Sequence, residues 1–318
     1  MVETFKGAAE GRGAFQGEDG SAGRRAEAEG PSIPNEPQWV GDAAALGALI
    51  ERLAREPTIA LDSEADSFHV YFEKVCLIQI GVPGEAYLVD PLAVDVRPLA
   101  PTLADPAHLW VVHGGDFDVR SLRRDFGFQF GRLFDSMLAA QALRLPELGL
   151  AALLRSRLGV TIMKGEQRSD WGRRPLRAEQ RRYAAADVHH LLRLERDLSA
   201  ALDVANRRKV AELSFEKLRH LVAREKRFDE KGYLKLRGAR AFGARELELL
   251  RELWVGREAL ARELDRPPFK VVGEQSMVEI ARLLPQDREA LRRIPGVSDL
   301  LVRRLGEAIL RAATAPKV

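Results

Sequence analysis

The sequence predicts an α/β domain followed by a small all-helical domain. Short apolar runs of the kind that form buried strands dominate residues 58–112. Segments with helical spacing of apolar residues follow up to residue 202, and strands first with helices later indicate a mixed sheet covered by helices. Beyond residue 240 only helical segments recur, separated by Pro-containing breaks. With 318 residues, 46% of them apolar, the chain is long enough for two hydrophobic cores.

The first domain is predicted to contain a meander of strands. Three strands follow one another closely, with Pro83 and Gly84 marking the turn between the second and the third. This succession suggests antiparallel pairing beside the first strand. The predicted strands are residues 58–62, 75–80, 86–89 and 109–112, and the predicted helices are residues 42–55, 119–126, 134–145, 148–158 and 180–202.

The flanking segments differ in composition from this domain. Residues 1–37 are rich in Gly, Glu, Ala and Ser, so we expect a disordered tail that cannot bury enough apolar surface to offset the entropy of ordering. Residues 205–237 are highly charged and poor in turns, which predicts a helical connector. Ser276 and Glu279 have the spacing of a capping box. Helices are predicted at residues 244–264, 276–284, 287–293 and 299–313.

The charge is unevenly distributed although the net charge is only +3. Residues 205–318 contain 26 Lys and Arg against 17 Asp and Glu, whereas residues 1–204 contain 24 against 30. An acidic front and a basic back suggest metal chemistry in the first part and polyanion binding in the second. Charge alone is equally compatible with solvated Arg-rich helices.

Cysteine usage and hydropathy limit the cellular setting. The single cysteine, Cys76, cannot form an internal disulfide and fits a reducing compartment. It lies in an apolar run, which favours a buried packing role over nucleophilic chemistry. No apolar run approaches the length of a membrane span. We therefore expect a cytoplasmic protein with no membrane partner.

Two carboxylates follow the first predicted strand. Asp62 and Glu64 are two residues apart, and side chains two apart on a strand point to the same face. Such a pair repels unless it is protonated or bridged by a cation, and hard oxygen ligands suit Mg²⁺ or Mn²⁺. A lone Asp-x-Glu is more often a polar turn, so the interpretation depends on further acidic residues.

Three further residues complete a candidate set. Asp118 follows Gly114 and Gly115, which let the backbone turn sharply before the predicted helix 119–126. Tyr183 and Asp187 are four residues apart on a predicted helix and share one face. Four carboxylates can hold two divalent ions roughly 3.5–4 Å apart, the arrangement used for phosphoryl displacement.

Neighbouring polar residues are weaker candidates for this site. Asp116 competes with Asp118, but its offset from the helix favours a solvated acid or a helix cap. Asp66 and Asp135 are more typical of hydrogen-bonding groups than of metal ligands. The histidines at positions 113, 189 and 190 are less suitable beside hard oxygen ligands.

The acidic set resembles the signature of the DEDD 3′–5′ exonucleases. Tyr183, four residues before Asp187, matches the DEDDy branch, because the DEDDh branch has His five residues before the last Asp and this chain has Arg182 there. The surroundings are similar to ribonuclease D over about residues 38–204. The stretches that carry this likeness are residues 75–80, 112–118, 134–136, 164–171 and 174–176.

This resemblance implies a ribonuclease H-like mixed sheet flanked by helices and a metal-dependent 3′–5′ exoribonuclease acting on tRNA precursors or other structured RNA. It implies that two Mg²⁺ or Mn²⁺ ions are held by Asp62, Glu64, Asp118 and Asp187. Tyr183 would orient the attacking water, because a phenol with a pKa near 10 is mostly protonated at neutral pH. Substrate contacts are expected from Arg168, Trp171 and Arg174.

Residues 238–318 resemble the HRDC domain, a helical module shared by helicases and ribonuclease D. The resemblance rests on residues 249–253, 257–262, 265–268, 280–281 and 294–296, with Arg303, Arg304 and Gly306. It implies nucleic-acid binding through Lys and Arg contacts to phosphates. A packing or protein-contact role is the alternative for this module.

Two other functions remain open for the whole chain at this point. One is a 3′–5′ DNA exonuclease, since no residue in the sequence identifies a reader of the 2′-hydroxyl. The other is a nucleic-acid-binding protein without catalysis, against which the intact Asp-Glu-Asp-Tyr-Asp set argues.

Overall fold

The computed structural model of the protein describes residues 36–162, 165–222 and 227–314. The predicted disordered tail at residues 1–37 lies, except for its last two residues, outside these ranges. None of the helices that the structure describes has both the length and the apolar character needed to cross a membrane.

A mixed sheet forms the centre of the first domain. Within the described ranges its strands lie in the order β1-β4-β3-β2-β5-β6. The pairs β2-β3 and β3-β4 are antiparallel, which confirms the predicted meander, whereas β1-β4, β2-β5 and β5-β6 are parallel. The strands are β1 (Gln38–Val40), β2 (Thr58–Ala65), β3 (Val75–Val82), β4 (Glu85–Val89), β5 (Leu109–Val112) and β6 (Arg132–Asp135).

Helices cover both faces of this sheet. Neighbouring residues of one strand enter different cores: Ile59 packs on one face with helices α1 and α3, and Ala60 packs on the other with α4 to α8. Both faces are therefore apolar, as expected for a sheet between two helical layers. The helices are α1 (Ala43–Leu53), α2 (Ala100–Ala104), α3 (Asp116–Phe126), α4 (Ser136–Ala142), α5 (Leu150–Leu158), α6 (Ala178–His189), α7 (Leu191–Val204) and α8 (Arg208–Arg219).

Two predicted helices differ from the structure. Residues 134–145 begin as strand β6, and the helix starts only at Ser136, where the Asp135 side chain accepts hydrogen bonds from the first turn. The predicted helix 180–202 is interrupted at His190. Because of this break, α6 lies across β3 and β4 while α7 packs against β2, β5 and α4.

The charged segment after residue 204 is part of the first domain and not only a connector. Helix α8 buries Ala211, Phe215 and Leu218 against the sheet and its helices. The ring of Phe215 lies 4.9 Å from the ring of Phe134 on β6. Burial of one large apolar side chain contributes about 1.5–3 kcal/mol, so α8 stabilises the first domain directly.

The second domain is all-helical and has its own core. Helix α9 supplies Leu249 and Leu253, which pack against apolar residues of the helices that follow. The bounds of these helices are α9 (Ala244–Glu263), α10 (Pro268–Val271), α11 (Glu274–Leu283), α12 (Arg288–Arg292) and α13 (Asp299–Thr314). Ser276 is not the N-cap that its spacing predicted, because α11 begins two residues earlier and the Ser276 hydroxyl donates to the Pro295 carbonyl.

The second domain docks on the loop between β2 and β3. Tyr71 of this loop is buried in the core of the second domain, where its hydroxyl donates to Glu258 and accepts from Arg262. The backbone N–H groups of Tyr71 and Phe72 donate to one carboxylate oxygen of Asp265, at 2.9 and 3.0 Å. The same loop follows directly on the strand that carries Asp62 and Glu64, so the docking contact lies close to the candidate site.

Candidate active site

Strand β2 carries the first two carboxylates. It extends to Ala65, so Asp62 and Glu64 lie within the strand and not after its end as the sequence suggested. Both side chains are half-buried. One carboxylate oxygen each from Asp62, Glu64 and Asp187 lie within 4.8 Å of one another, a separation that a shared divalent ion can bridge.

The turn before α3 places Asp118. Gly114 has a φ of +65°, a conformation that glycine adopts without strain, and a Cβ at Gly115 would lie only 2.7 Å from a methyl carbon of Val112. The carboxylate of Asp135 accepts hydrogen bonds from the N–H groups of Gly114 and Gly115, at 3.1 and 2.8 Å. It also caps α4, so one buried carboxylate fixes two elements, in agreement with its expected hydrogen-bonding role.

Asp118 faces the acidic cluster, and Asp116 does not. Asp118 is 5% exposed, accepts a hydrogen bond from the Ser63 hydroxyl, and its charge raises the pKa of both Asp62 and Glu64. Asp116 is solvent-exposed and pairs with Arg120 one turn later on α3. The geometry therefore favours Asp118 as the third member of the set.

The four carboxylates repel one another and are partly desolvated. Burial, followed by repulsion from its acidic neighbours, raises the pKa of Asp62 well above its usual value and that of Glu64 to about 9. Burial alone raises the pKa of Asp187 to about 7, and burial outweighs the Ser63 hydrogen bond to raise that of Asp118 to about 6. Among the described residues no Lys or Arg forms an ion pair with any of the four. A cluster of hard oxygen donors without a protein cation fits divalent metal ions.

Tyr183 lies one helical turn before Asp187 on α6. Burial first, and then the charges of Asp187, Glu64 and Asp62, raise the pKa of the Tyr183 phenol above its usual value. A hydrogen bond from this phenol in turn lowers the pKa of Asp187 and opposes the effect of burial. Tyr183 therefore remains protonated at neutral pH and can donate a hydrogen bond into the site.

A cleft of about 370 Å³ opens over this cluster. Asp62, Tyr183 and Asp187 form its polar side, and α5 and α7 supply apolar wall residues. Two further lining residues had a place in the sequence analysis: His113 as a weaker candidate ligand, and Gln167 within the stretch 164–171 that resembles ribonuclease D. The others were not identified, because no local pattern marks them. These are Gly149, Leu150, Ala151, Ala152, Ile162 and Leu191.

His113 is held in a defined tautomer at the edge of the cleft. Ser136 Oγ donates its proton to the Val112 carbonyl at 3.2 Å, so it must accept from His113 Nδ1, 2.8 Å away. His113 therefore carries its proton on Nδ1 and presents an unprotonated Nε2. Burial lowers the pKa of this imidazole, which keeps it neutral.

The three residues predicted to contact substrate lie in different environments. Arg168 is exposed, with its guanidinium 5.9 Å from the centre of the Phe68 ring. Trp171 is fully buried beneath the Tyr183 ring, so it has no free surface with which to contact RNA. Arg174 forms a two-point ion pair with buried Asp90 and donates to the Cys76 carbonyl, so the structure places it as a brace between loop and sheet. These contacts give Trp171 and Arg174 packing and bracing roles, and a contact of either residue with substrate stays a prediction.

Comparisons with known proteins agree with this architecture. A family model described as a 3′–5′ exonuclease matches residues 37–203, and an HRDC domain model matches residues 246–312. Ribonuclease D of Pseudomonas paraeruginosa is 33% identical over 286 residues, which cover 88% of this chain and 76% of that protein.

Two solved structures show the same arrangement. The catalytic core of RRP6 from Trypanosoma brucei, as the C496S mutant, superposes with a TM-score of 0.81 at 29% identity, covering 91% of this chain and 83% of that one. Escherichia coli RNase D, described as an exoribonuclease involved in structured RNA processing, superposes with a TM-score of 0.66 at 29% identity. The match covers 88% of this chain and 76% of that one. The chain belongs to the ribonuclease D family of 3′–5′ exoribonucleases.

Proposed function

We propose that this chain removes nucleotides from RNA 3′ ends with two divalent ions held by Asp62, Glu64, Asp118 and Asp187. The observation that carries the proposal is the cluster of mutually repelling carboxylates, which no protein cation among the described residues neutralises. The donors are all carboxylate oxygens, which Mg²⁺ and Mn²⁺ prefer over the His and Cys ligands typical of zinc. When bound, such ions activate water and stabilise the leaving 3′ oxygen.

Tyr183 has the position and protonation state of a water-orienting group. Its raised pKa excludes it as a base at neutral pH, whereas its O–H lies beside Asp187 and faces the cleft. A donor fixed at this point holds the attacking water or a phosphate oxygen in line with the scissile bond. Trp171 packs against the Tyr183 ring and limits its movement, which is an indirect contribution to the site.

The cleft is suited to one terminal nucleotide. Its volume of about 370 Å³ lies at the lower end of the range for small-ligand sites. The apolar wall formed by Leu150, Ile162 and Leu191 offers a surface for a base, opposite the carboxylates that would hold the phosphate through metal ions.

The substrate class follows from the relatives. The ribonuclease D relatives and the structured-RNA description of the Escherichia coli protein support tRNA precursors or other stable RNAs as substrates. Residues 205–318, which include α8 as well as the second domain, contain 26 Lys and Arg against 17 Asp and Glu, and this basic balance supports contact with a polyanion. A cytoplasmic location is part of this proposal and rests on the reducing compartment that the single cysteine indicates.

The direct test is digestion of a 5′-labelled oligonucleotide, made as RNA and as DNA of the same sequence. With Mg²⁺ or Mn²⁺ the RNA should shorten stepwise from its 3′ end, and a chelator should stop the reaction. An RNA with a blocked 3′ hydroxyl should remain intact, which separates exonuclease from endonuclease action. Faster degradation of the DNA would favour the DNA exonuclease alternative, and no degradation of either would refute the proposal.

A further inference from the structure

An exposed strip crosses the junction between the two domains. It consists of the exposed Phe68 and the half-buried His69 from the β2–β3 loop, the exposed Arg168 from the loop before α6, and the exposed Lys270 from α10 of the second domain. We call these four residues the junction strip. None of them belongs to the carboxylate cluster or lines the cleft.

Direct contacts hold the strip together. Lys270 Nζ lies 3.3 Å from His69 Nδ1, and His69 Nε2 lies 3.2 Å from the Arg168 carbonyl oxygen. A neutral His69 with its proton on Nε2 satisfies both bonds, because it accepts from the ammonium and donates to the carbonyl. The Arg168 guanidinium lies 5.9 Å from the centre of the Phe68 ring, within cation–π range.

The strip leads to the cleft. Gln167, which lines the cleft, directly precedes Arg168. The two loops also approach each other further along, where Gly172 lies close to the Asp66 carboxylate. Asp66 is itself fixed by Lys74 and follows Glu64 on the same segment. The strip therefore continues from the mouth of the candidate active site onto the second domain.

The chemistry of the strip matches single-stranded nucleic acid. Phe68 is 42% exposed, so its ring has free surface on which a base can stack. Among the described residues neither Arg168 nor Lys270 forms an ion pair with a carboxylate, whereas Arg174 and Arg177, close to Arg168 in the chain, both do. Stacking rings interleaved with free cations form the usual platform for single strands.

We propose that the junction strip binds the single-stranded RNA immediately upstream of the nucleotide in the cleft. Phe68 stacks on a base, and Arg168 and Lys270 contact phosphates on either side of the domain junction. The proposal rests on the proposed exonuclease function. It adds that the second domain contributes to binding through the position of Lys270 beside the loop that follows β2.

The test compares a labelled single ribonucleotide, the short RNA ligand, which fills only the cleft, with RNA of about twelve nucleotides, within the range that such platforms span. Affinity is measured by fluorescence anisotropy with the full chain in the Asp118→Asn background. Phe68→Ala and Phe68→Leu should weaken binding of the long RNA by roughly ten- to a hundred-fold, because both lose the stacking ring. Phe68→Tyr keeps the ring and should bind as tightly as the parent.

Charge is tested with a matched pair of exposed lysines. Lys270→Ala should weaken binding of the long RNA. It should also reduce the slope of log affinity against log salt by about 0.7, the value for one lost single-strand phosphate contact. Lys209→Ala, an exposed lysine on α8, should change neither quantity. An equal change for both lysines would overturn the proposal, since it would show a response to net charge alone.

Other outcomes separate this proposal from the proposed function. Unchanged affinity of the long RNA in the Phe68 variants would overturn the strip as an RNA path and favour a protein contact there. Equal weakening of binding for the short and the long RNA would also overturn the proposed RNA path, because the substitution would then have disturbed the cleft. Hydrolysis of RNA by the unmutated chain is measured in a separate assay. A failure of the exonuclease proposal would leave the RNA intact in that assay, whatever the Phe68 and Lys270 variants do to affinity.

Discussion

The four carboxylates of the site make the protein without bound metal sensitive to pH. Their raised pKa values mean that the folded state holds protons more tightly than the unfolded state. Stability from these groups is present below about pH 4, the usual carboxyl pKa, and is lost as pH rises through about 6 for Asp118, about 7 for Asp187 and about 9 for Glu64. A bound divalent ion prevents this loss of stability at higher pH, because it stabilises the charged form of the carboxylates.

In chelator, the melting temperature should therefore fall between pH 5 and pH 9. Asp118→Asn removes one of the repelling charges. At pH 8 the variant should melt higher than the parent, by about 2–4 °C for each kcal/mol of relieved repulsion. Its melting temperature should also fall less between pH 5 and pH 9. Mg²⁺ should raise the melting temperature of the parent more than that of the variant. A parent melting temperature that does not depend on pH in chelator would contradict this account of the cluster.

Tyr183→Phe tests the hydroxyl without disturbing the ring. If the O–H orients the attacking water, single-turnover hydrolysis should slow by roughly ten- to a thousand-fold, at about 1.4 kcal/mol for each factor of ten. RNA affinity should remain nearly unchanged, because the ring still packs on Trp171. A parental single-turnover rate in this variant would refute the proposed role.

The residues that sequence reasoning placed well are those related by local spacing. Asp62 with Glu64 and Tyr183 with Asp187 are defined by the periods of a strand and a helix, so their shared faces could be predicted. Arg174 could not be interpreted in this way, because its partner Asp90 is 84 positions distant in the chain. The burial of Trp171 is likewise a tertiary property that no neighbouring residue indicates.

At the scale of elements, most strands and helices were predicted, including the four-residue strand β5, whereas strands β1 and β6 were missed. The meander and helices α1, α3, α5 and α9 lie close to their predicted positions, with differences of a few residues at their ends. Strand β1 has three residues and β6 four, which is too short for a periodic signal. Helix α8 was recognised as helical, but its packing depends on Phe134 of a strand that was missed.

The assignment of α8 to the first domain can be tested with one core substitution. Phe215→Ala should lower the free energy of unfolding by about 3–5 kcal/mol, the range for a buried phenylalanine. Leu213→Ala on the same helix is a matched control, since that side chain is 67% exposed and should change stability by less than about 0.5 kcal/mol. Denaturant unfolding measures both. Similar small losses in the two variants would show that α8 is only a connector, as the sequence suggested.

At the scale of the whole molecule, the two domains are joined by specific contacts as well as by the chain. The charge imbalance between the two parts was visible in the sequence, but docking through Tyr71 was not, because it joins residues almost two hundred positions apart. This contact connects the second domain to the loop that follows strand β2, which carries Asp62 and Glu64. A fixed position of the second domain beside the cleft is the physical basis of the proposed RNA path.

Loss of this docking contact should uncouple the unfolding of the domains. Tyr71→Ala removes a ring from the core of the second domain and should convert a single thermal transition into two. Phe72→Ala is the control, since its side chain is 63% exposed and only its backbone N–H contacts Asp265. Differential scanning calorimetry measures both variants. One shared transition in Tyr71→Ala would mean that the domains do not depend on this contact.

The central claim is that Asp62, Glu64, Asp118 and Asp187 form the metal-dependent centre for 3′–5′ hydrolysis. The most direct measurement is the rate at which Asp118→Asn and Asp116→Asn shorten 5′-labelled RNA in Mn²⁺. The two substitutions make the same chemical change two residues apart, one facing the cluster and the other paired with Arg120 at the surface. The account predicts that Asp118→Asn loses activity by at least a factor of about 1,000, or about 4 kcal/mol, while Asp116→Asn keeps the parental rate. Activity retained in Asp118→Asn and lost in Asp116→Asn would contradict it.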